Sequence, residues 1–238
     1  MKLKHALKII FSPVLVKIKD GPLRGRKWIL TTGTRFISGK YEPYKTEAIL
    51  KNFSKGEIFY DIGAHFGYFS AIAASINEEE GRVFAFEPRP MNAGFFRRHM
   101  KANGFDRVIL FESAVGNTDQ EVHFDDSRGS AKGRIDEKGN LRVRQVCIDH
   151  MVDSGLLPLP TFVKIDVEGG EINVLKGLEK VIRKARPKMV IATHNKACHD
   201  FVLDFLERNN YRYEVFLPTG LRGDTEVAAL PLPEAGNS

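Results

Sequence analysis

The amino-acid sequence predicts an α/β fold in which a doubly wound, mostly parallel sheet carries helices on both faces. Three observations predict it. Strand and helix patterns alternate from about residue 57 to residue 216, a glycine turn at Gly63 and Gly67 joins the first of these strands to a helix, and the next strand ends in Glu87. A chain of 238 residues is long enough to bury the core of one large domain of this kind.

The elements of the sheet follow in order from short apolar runs and from apolar residues at helical spacing. Strands are predicted at 57–62, 82–87, 108–112, 161–166 and 188–193. Helices are predicted at 67–78, 90–103, 170–184 and 196–209. Two last strands, 211–217 and 225–231, have no clear helix between them and could form a closing hairpin.

The pattern changes between residues 119 and 148. Two runs that alternate polar and apolar residues flank a stretch rich in Gly and Ser at 127–133. This predicts a β-hairpin inserted before the fourth core strand, with a mobile polar tip. The domain organisation that follows is an N-terminal extension or cap at 1–50, a core at 51–217 that contains the insertion, and a closing strand and tail at 218–238.

The glycine turn predicts a site for a nucleoside cofactor, because the backbone N–H groups there can face a ligand that a Cβ would obstruct. A dinucleotide fingerprint would need glycines where His65 and Tyr68 stand, which argues against NAD. Asp61, at the strand end beside the loop, would repel a pyrophosphate and attract an ammonium, or it could cap the helix. S-adenosylmethionine carries an ammonium and no phosphate, so it fits the loop better.

Glu87 supplies the second half of this prediction. It ends the apolar run 83–86, about twenty residues beyond Gly67. A carboxylate at the end of the second strand can accept hydrogen bonds from the hydroxyl groups of a ribose.

Four motifs occur in order and at plausible spacing, and they are Asp61-Ile-Gly-Ala-His-Phe-Gly67, Phe86-Glu-Pro88, Ser113-Ala-Val-Gly-Asn117 and Val163-Lys-Ile-Asp-Val-Glu-Gly-Gly-Glu171. Together they resemble the FkbM family of S-adenosylmethionine-dependent methyltransferases, over roughly residues 20–216. The sequence departs from the family at His65, where Asn is more usual, and at Ala192, where an acidic residue is common.

The resemblance implies a Rossmann-like class I methyltransferase fold with an antiparallel seventh strand. It also implies O-methylation of a hydroxyl group on a sugar, a glycan or a natural product, with the turn at Ser113 and Ala114 against the adenine. The cofactor-binding residues expected from the loop and the resemblance together are Asp61, Gly63, Gly67, Glu87, Ser113, Ala114 and Asp166.

Two residues are the candidates for catalysis. Asp166, at the end of the fourth strand, would lie beside the sulfonium and orient the cofactor or the acceptor, and its burial requires a partner. His194, at the end of the fifth strand, is the candidate base, since imidazole titrates near neutral pH. Asp166 and Glu168 could instead hold a divalent metal, which two carboxylates alone do not favour. Lys164 is expected to pair with a neighbouring carboxylate.

Composition sets the remaining expectations. A net charge of +6 suits an anionic substrate or surface, and no aromatic-studded basic strand predicts sequence-specific binding of nucleic acid. Cys147 and Cys198 make no disulfide framework, and no convincing signal peptide begins the chain, so a cytoplasmic protein is expected. Residues 1–19 carry five lysines and no acid, and such a segment could associate weakly with an anionic membrane or cap the domain.

The sequence therefore predicts an S-adenosylmethionine-dependent methyltransferase that acts on a small-molecule or glycan acceptor. Two alternatives stay open. Ala192 favours a non-catalytic nucleotide-binding protein of the same fold, whereas the intact block from Asp166 to Gly169 argues against it. An NAD-linked oxidoreductase on a similar sheet is the other, and the missing middle glycine argues against it.

Overall fold

A computed structural model describes residues 14–127, 129, 133–216 and 225–233. Most of the basic segment predicted at 1–19, part of the polar tip at 127–133, and the last residues of the tail lie outside these ranges. Within the described ranges, no helix has both the length and the apolar character needed to cross a membrane.

The strands of the described chain are β1 (Leu15–Lys17), β2 (Lys27–Ile29), β3 (Ile58–Ile62), β4 (Arg82–Phe86), β5 (Val108–Phe111), β6 (Ala114–Val115), β7 (Gln120–Asp125), β8 (Arg134–Ile135), β9 (Leu141–Val146), β10 (Phe162–Ile165), β11 (Lys188–Thr193), β12 (Tyr211–Phe216) and β13 (Thr225–Pro231). Seven of them form the main sheet in the order β12-β13-β11-β10-β3-β4-β5. β13 runs antiparallel to both of its neighbours, β11 and β12, and the other pairs of strands in this sheet are parallel. The predicted doubly wound sheet and its antiparallel seventh strand are confirmed.

The helices of the described chain are α1 (Thr34–Ser38), α2 (Pro43–Asn52), α3 (Tyr68–Asn77), α4 (Pro90–Asn103), α5 (Ile148–Asp153), α6 (Glu171–Lys176), α7 (Glu179–Ala185) and α8 (Lys196–Arg208). Helices α3, α4 and α8 lie where the apolar spacing predicts them. Helices α1, α2 and α5 were not predicted, because each is short or has a weak apolar pattern. Helix α2 runs across residue 50, and the domain boundary placed there stays a prediction.

The single helix predicted at 170–184 was wrong, because the chain forms two helices that meet at Gly177. A Cβ on Gly177 would lie 2.0 Å from the carbonyl oxygen of Gly116, so the backbone of another segment occupies the space of a side chain. The carbonyl of Gly177 also accepts a hydrogen bond from the backbone N–H of Asp149 at 2.8 Å. These contacts turn the chain between α6 and α7.

The insertion forms more than the predicted hairpin. β7 and β9 pair antiparallel, as the alternating pattern predicts, but β6 and β8 join them in a four-stranded accessory sheet of order β6-β9-β7-β8. β6 pairs parallel with β9, and it follows the end of β5 after two residues. The accessory sheet therefore starts at the edge where the core strands end.

Apolar strands buried on both faces build the centre of the main sheet. All four residues of β10 are buried, as are the last four of β3 and of β4. Apart from the buried Asp61 of β3 and Lys164 of β10, these stretches are apolar, which is typical of parallel strands that helices cover on both sides. Because these strands are parallel, the polar residues that follow them come together at one edge of the sheet.

The N-terminal segment is fixed to the core through a pair of stacked rings. Trp28 of β2 stacks on His99 of α4 with 3.7 Å between ring centroids. His99 Nε2 accepts a hydrogen bond from the backbone N–H of Ile29 at 3.1 Å, and Nδ1 lies 2.8 Å from the carbonyl oxygen of Phe66. These two partners require a neutral ring with its proton on Nδ1. Burial lowers the pKa of His99 to about 4, which keeps the ring neutral.

Candidate active site

A cavity of about 830 Å³ opens at the carboxyl edge of the main sheet. The ends of the core strands form its floor, while α2 and the accessory sheet form parts of its wall. The residues predicted for the site that line this cavity are Gly63, Glu87, Ser113, Ala114, Asp166 and His194. Asp61 and Gly67, although both are described, lie behind the lining.

The loop after β3 is held against the end of β10 by close backbone packing. Gly63 has φ +77°, and a Cβ there would lie 1.8 Å from the carbonyl oxygen of Asp166. A side chain at Gly63 is therefore excluded by the backbone that follows β10, whereas the sequence analysis expected it to be excluded by the ligand. Gly67 has φ +86° at the start of α3, and a Cβ there would lie under 3 Å from the side chains of Phe96 and Met100. Gly67 thus serves the packing of α3 on α4.

Asp61 is fully buried beneath the loop. Its carboxylate accepts a hydrogen bond from Ser70 Oγ at 2.6 Å and lies 3.0 Å from Lys164 Nζ. The predicted pairing of Lys164 with a neighbouring carboxylate is confirmed. Lys164 Nζ also donates to the carbonyl oxygen of Gly63 at 2.6 Å. Asp61 therefore steadies the loop through Lys164, and the residue at the N-cap of α3 is Gly67.

Glu87 follows β4 and is held rigidly at the wall of the cavity. Its carboxylate accepts hydrogen bonds from the backbone N–H groups of His65 at 2.8 Å and Arg89 at 2.9 Å, and from Asn92 Nδ2 at 3.1 Å. Burial raises the pKa of Glu87 to about 7, although these donors pull it downward. The carboxylate is thus fixed in place and close to its titration point at neutral pH.

Ser113 and Ala114 face the same part of the cavity from the end of β5 and the start of β6. The Oγ atom of Ser113 is buried and has no hydrogen-bond partner among the described residues. A buried hydroxyl that lacks a partner is costly, so a ligand that supplies one would stabilise it. Together with Glu87, these residues form a half of the cavity suited to a nucleoside.

The other half of the cavity is highly charged, and its central residue, Lys45 of α2, was missed by the sequence analysis. Lys45 is 2% exposed, and its Nζ lies 2.5 Å from Asp166 Oδ2, 2.6 Å from Glu42 and 3.5 Å from Glu226 of β13. Burial would lower the pKa of Lys45, but the three carboxylates hold it well above its usual value.

His194 follows β11 and lies among carboxylates. Its Nδ1 is 2.7 Å from Glu171 Oε1, and its Nε2 is 3.4 Å from Asp166 Oδ1 and 3.5 Å from Glu168 Oε1. Burial alone would lower the pKa of His194, but the hydrogen bond to Glu171 and the other carboxylates raise it to about 9. The ring therefore carries both N–H protons at neutral pH, which argues against the predicted role as a base in this state.

Asp166 joins the two cations. It is held between Lys45 on Oδ2 and His194 on Oδ1. Burial would raise the pKa of Asp166, but Lys45, Lys164 and His194 hold it well below the usual range. Asp166 therefore stays ionised. Lys45 and His194 are the partners that its burial was expected to require.

Asp166, Glu168 and His194 could also meet a cation. One ligand atom from each lies within 4.8 Å of the other two, close enough for a single ion. His194 would use Nε2 while Glu171 accepts from Nδ1, which is the usual outer partner of a metal-bound histidine. Lys45 already occupies one oxygen of Asp166, so an ion would compete with an existing pair.

Comparisons with known proteins agree on one family. Residues 61–213 match the model of the methyltransferase FkbM domain. A hexuronic acid methyltransferase, AglP, from Haloferax volcanii is 28% identical over 138 residues, which make up 57% of this chain and 55% of that protein. The chain thus spans about half the length of this curated relative.

Solved structures share the fold. The crystal structure of methyltransferase FkbM from Methylobacillus flagellatus has a TM-score of 0.55 and 24% identity, over 75% of this chain and 44% of that one. A precorrin-6Y C5,15-methyltransferase from Geobacter metallireducens has a TM-score of 0.53 and 17% identity, over 79% of this chain and 88% of that one. At these identities the two structures show the fold of the chain and no more.

Proposed function

The chain belongs to the FkbM family of methyltransferases, and from this premise we propose that it binds S-adenosylmethionine and transfers the methyl group to a hydroxyl oxygen. The acceptor we propose is a sugar or glycan, because the relative AglP is named a hexuronic acid methyltransferase. Acceptors that contain a uronic acid are therefore the first to test.

The observation that carries the proposal is the position of Glu87. Three N–H donors fix its carboxylate at the cavity wall, directly after β4. In doubly wound folds an acid at this place binds the ribose hydroxyls of a nucleoside. Ser113 and Ala114 would then contact the adenine, and Gly63 would leave room for the cofactor beside the loop.

Charge supports the placement of the cofactor's amino-acid end and its sulfonium in the other half of the cavity. Five carboxylates, those of Glu42, Asp166, Glu168, Glu171 and Glu226, surround the two cations Lys45 and His194. This excess of negative charge favours a positively charged ligand. Asp61 and Gly67 would contribute indirectly, the first by steadying the loop and the second by packing α3.

S-adenosylmethionine supplies the electrophilic methyl carbon, and transfer is an in-line displacement that gains from alignment. Asp166 would orient the cofactor or the acceptor hydroxyl, since its charge is maintained by Lys45 and His194. His194 would hold Asp166 in place as a hydrogen-bond donor. The cavity of about 830 Å³ lies within the usual range for ligand sites, about 300–1,000 Å³.

The experiment is transfer of a labelled methyl group from S-adenosylmethionine to glucuronic and galacturonic acid glycosides, with the matching neutral glycosides as controls. We expect label in a uronic-acid product that survives mild alkali, as an ether does and a carboxylate ester does not. Binding of S-adenosylhomocysteine without transfer to any acceptor would favour a non-catalytic nucleotide-binding protein.

The same assay tests whether a cation assists. The cluster of Asp166, Glu168 and His194 is the observation that favours a metal. We expect transfer to continue after treatment with EDTA, because Lys45 already neutralises Asp166. Loss of transfer that Mg²⁺ restores would show that a metal takes part, and would assign these three residues as its ligands.

A further inference from the structure

We propose that Glu226 of β13 takes the proton from the acceptor hydroxyl during methyl transfer, a role that rests on the proposed function. Glu226 lines the cavity and lies at the carboxyl edge of the main sheet, although β13 runs antiparallel to the core strands. Its nearest partner across the ladder is Ala192 of β11. Directly opposed residues point to the same face of a sheet, so Glu226 supplies a carboxylate where Ala192 has only a methyl group.

The carboxylate of Glu226 is only partly engaged. Oε1 lies 3.5 Å from Lys45 Nζ, a longer contact than those of Asp166 at 2.5 Å and Glu42 at 2.6 Å. Oε2 is buried and has no hydrogen-bond partner among the described residues. The Glu226 side chain as a whole is 22% exposed and lines the cavity, so a hydroxyl group of an acceptor that contacts the carboxylate would provide the donor it lacks.

The other acid–base groups at this end of the cavity are occupied. Asp166 faces Lys45 with one oxygen and His194 with the other. Both ring nitrogens of His194 face carboxylates. Burial, together with the charges of Glu42 and Asp166, raises the pKa of Glu226, although Lys45 opposes the shift. A carboxylate shifted in this direction is a better base near neutral pH than an ordinary one.

The hydroxyl oxygen forms a bond to the methyl carbon while the carbon–sulfur bond breaks, and its electron pair stays on sulfur to give a neutral thioether. The hydroxyl proton passes to Glu226, which becomes a neutral acid and returns the proton to water after the product leaves.

The test compares Glu226→Gln, Glu226→Asp and the wild type, with kcat, KM for the acceptor, affinity for S-adenosylhomocysteine and the pH–rate profile as readouts. We expect Glu226→Gln to lower kcat by about a hundredfold, with cofactor affinity within about twofold of wild type. At saturating S-adenosylmethionine, where the titration of Glu87 no longer limits cofactor binding, the wild-type loss of kcat at low pH should vanish in Glu226→Gln. Glu226→Asp should recover part of kcat and of the low-pH loss.

Each outcome can be attributed. A Glu226→Gln variant that binds S-adenosylhomocysteine and keeps the wild-type kcat and pH profile would overturn the role of Glu226 alone. A wild type that binds S-adenosylhomocysteine but methylates no acceptor would overturn the proposed function and this role with it. Unchanged cofactor affinity shows that the variant is folded.

Discussion

Two histidines in two regions of the molecule differ in charge, since the buried His99 is neutral and the largely buried His194 is protonated. His99 lies where the N-terminal segment joins the core, against the ring of Trp28 and two backbone groups, and its pKa is lowered to about 4. His194 lies at the cavity among Glu171 and two other carboxylates. Although burial alone would lower its pKa, these carboxylates raise it to about 9. Burial acts in the same direction on both, so the neighbouring groups decide the charge.

The difference distinguishes His99, which helps to hold the fold together, from His194, which belongs to the candidate site. At the junction, a neutral ring satisfies backbone groups and packs on an aromatic neighbour. At the cavity, several ions are buried together, an arrangement that contributes little to stability because of the cost of desolvation. Strongly shifted pKa values in a cleft are typical of functional sites.

The junction should lose stability in acid because of His99. Its pKa is about 4 when folded and about 6.5 when unfolded, so the unfolded chain takes up the proton first. The contribution is complete above pH 6.5, and about 3 kcal/mol is lost as pH falls towards 4. Urea unfolding across this range should show a steeper decline for wild type than for His99→Gln. Equal slopes would contradict a neutral buried His99.

His194→Gln should act on turnover and leave the scaffold intact. Loss of the imidazolium that holds Asp166 should lower kcat by about a hundredfold, with affinity for S-adenosylhomocysteine within about twofold of wild type. The pH–rate profile should keep its loss at low pH, unlike that of Glu226→Gln. His150→Gln, at an exposed position, is the control and should match wild type. Full turnover in His194→Gln would remove this residue from the reaction.

Glu87 should make cofactor binding depend on pH. In the proposed complex the ribose hydroxyls donate to the ionised carboxylate of Glu87, whose pKa burial raises to about 7 in the free protein. Affinity for S-adenosylhomocysteine should therefore fall as pH drops below 7 and level off above 8, values set by that pKa. Glu87→Ala should weaken binding by about 1–3 kcal/mol and remove the pH dependence.

The matched control is Glu112→Ala, because Glu112 follows β5 as Glu87 follows β4 but is exposed and pairs with Arg97. Its affinity and pH dependence should be those of wild type. If Glu87→Ala bound the ligand as tightly as wild type, Glu87 would have no contact with the ribose.

The nucleoside half of the cavity could be predicted from the sequence because its signals are local. These signals are an apolar run, a glycine turn and an acid at the end of the next strand, which lie close together in the chain. Gly63 and Glu87, which they single out, both line the cavity. Local patterns do not reveal what lies behind a loop. Asp61 was therefore predicted to face the ligand, whereas Lys164, on the neighbouring strand, draws its carboxylate into the core.

The charged half could not be predicted in the same way. Lys45 and Asp166 are 121 residues apart in the chain, and Glu226 lies on β13, the one strand of the main sheet that runs opposite to the others. Their meeting depends on the packing of α2 and on the register of β13 with β11. The protonation of His194 likewise depends on three carboxylates that only the folded chain brings together.

Calorimetric titration with S-adenosylhomocysteine, with NAD as the control ligand, tests most directly whether the cavity is a methyltransferase cofactor site. We expect one molecule to bind per chain in the micromolar range, no binding of NAD, and weaker binding to Glu87→Ala. Binding of NAD in place of S-adenosylhomocysteine, or of neither ligand, would contradict the assignment of Gly63, Glu87 and Ser113 to this cofactor.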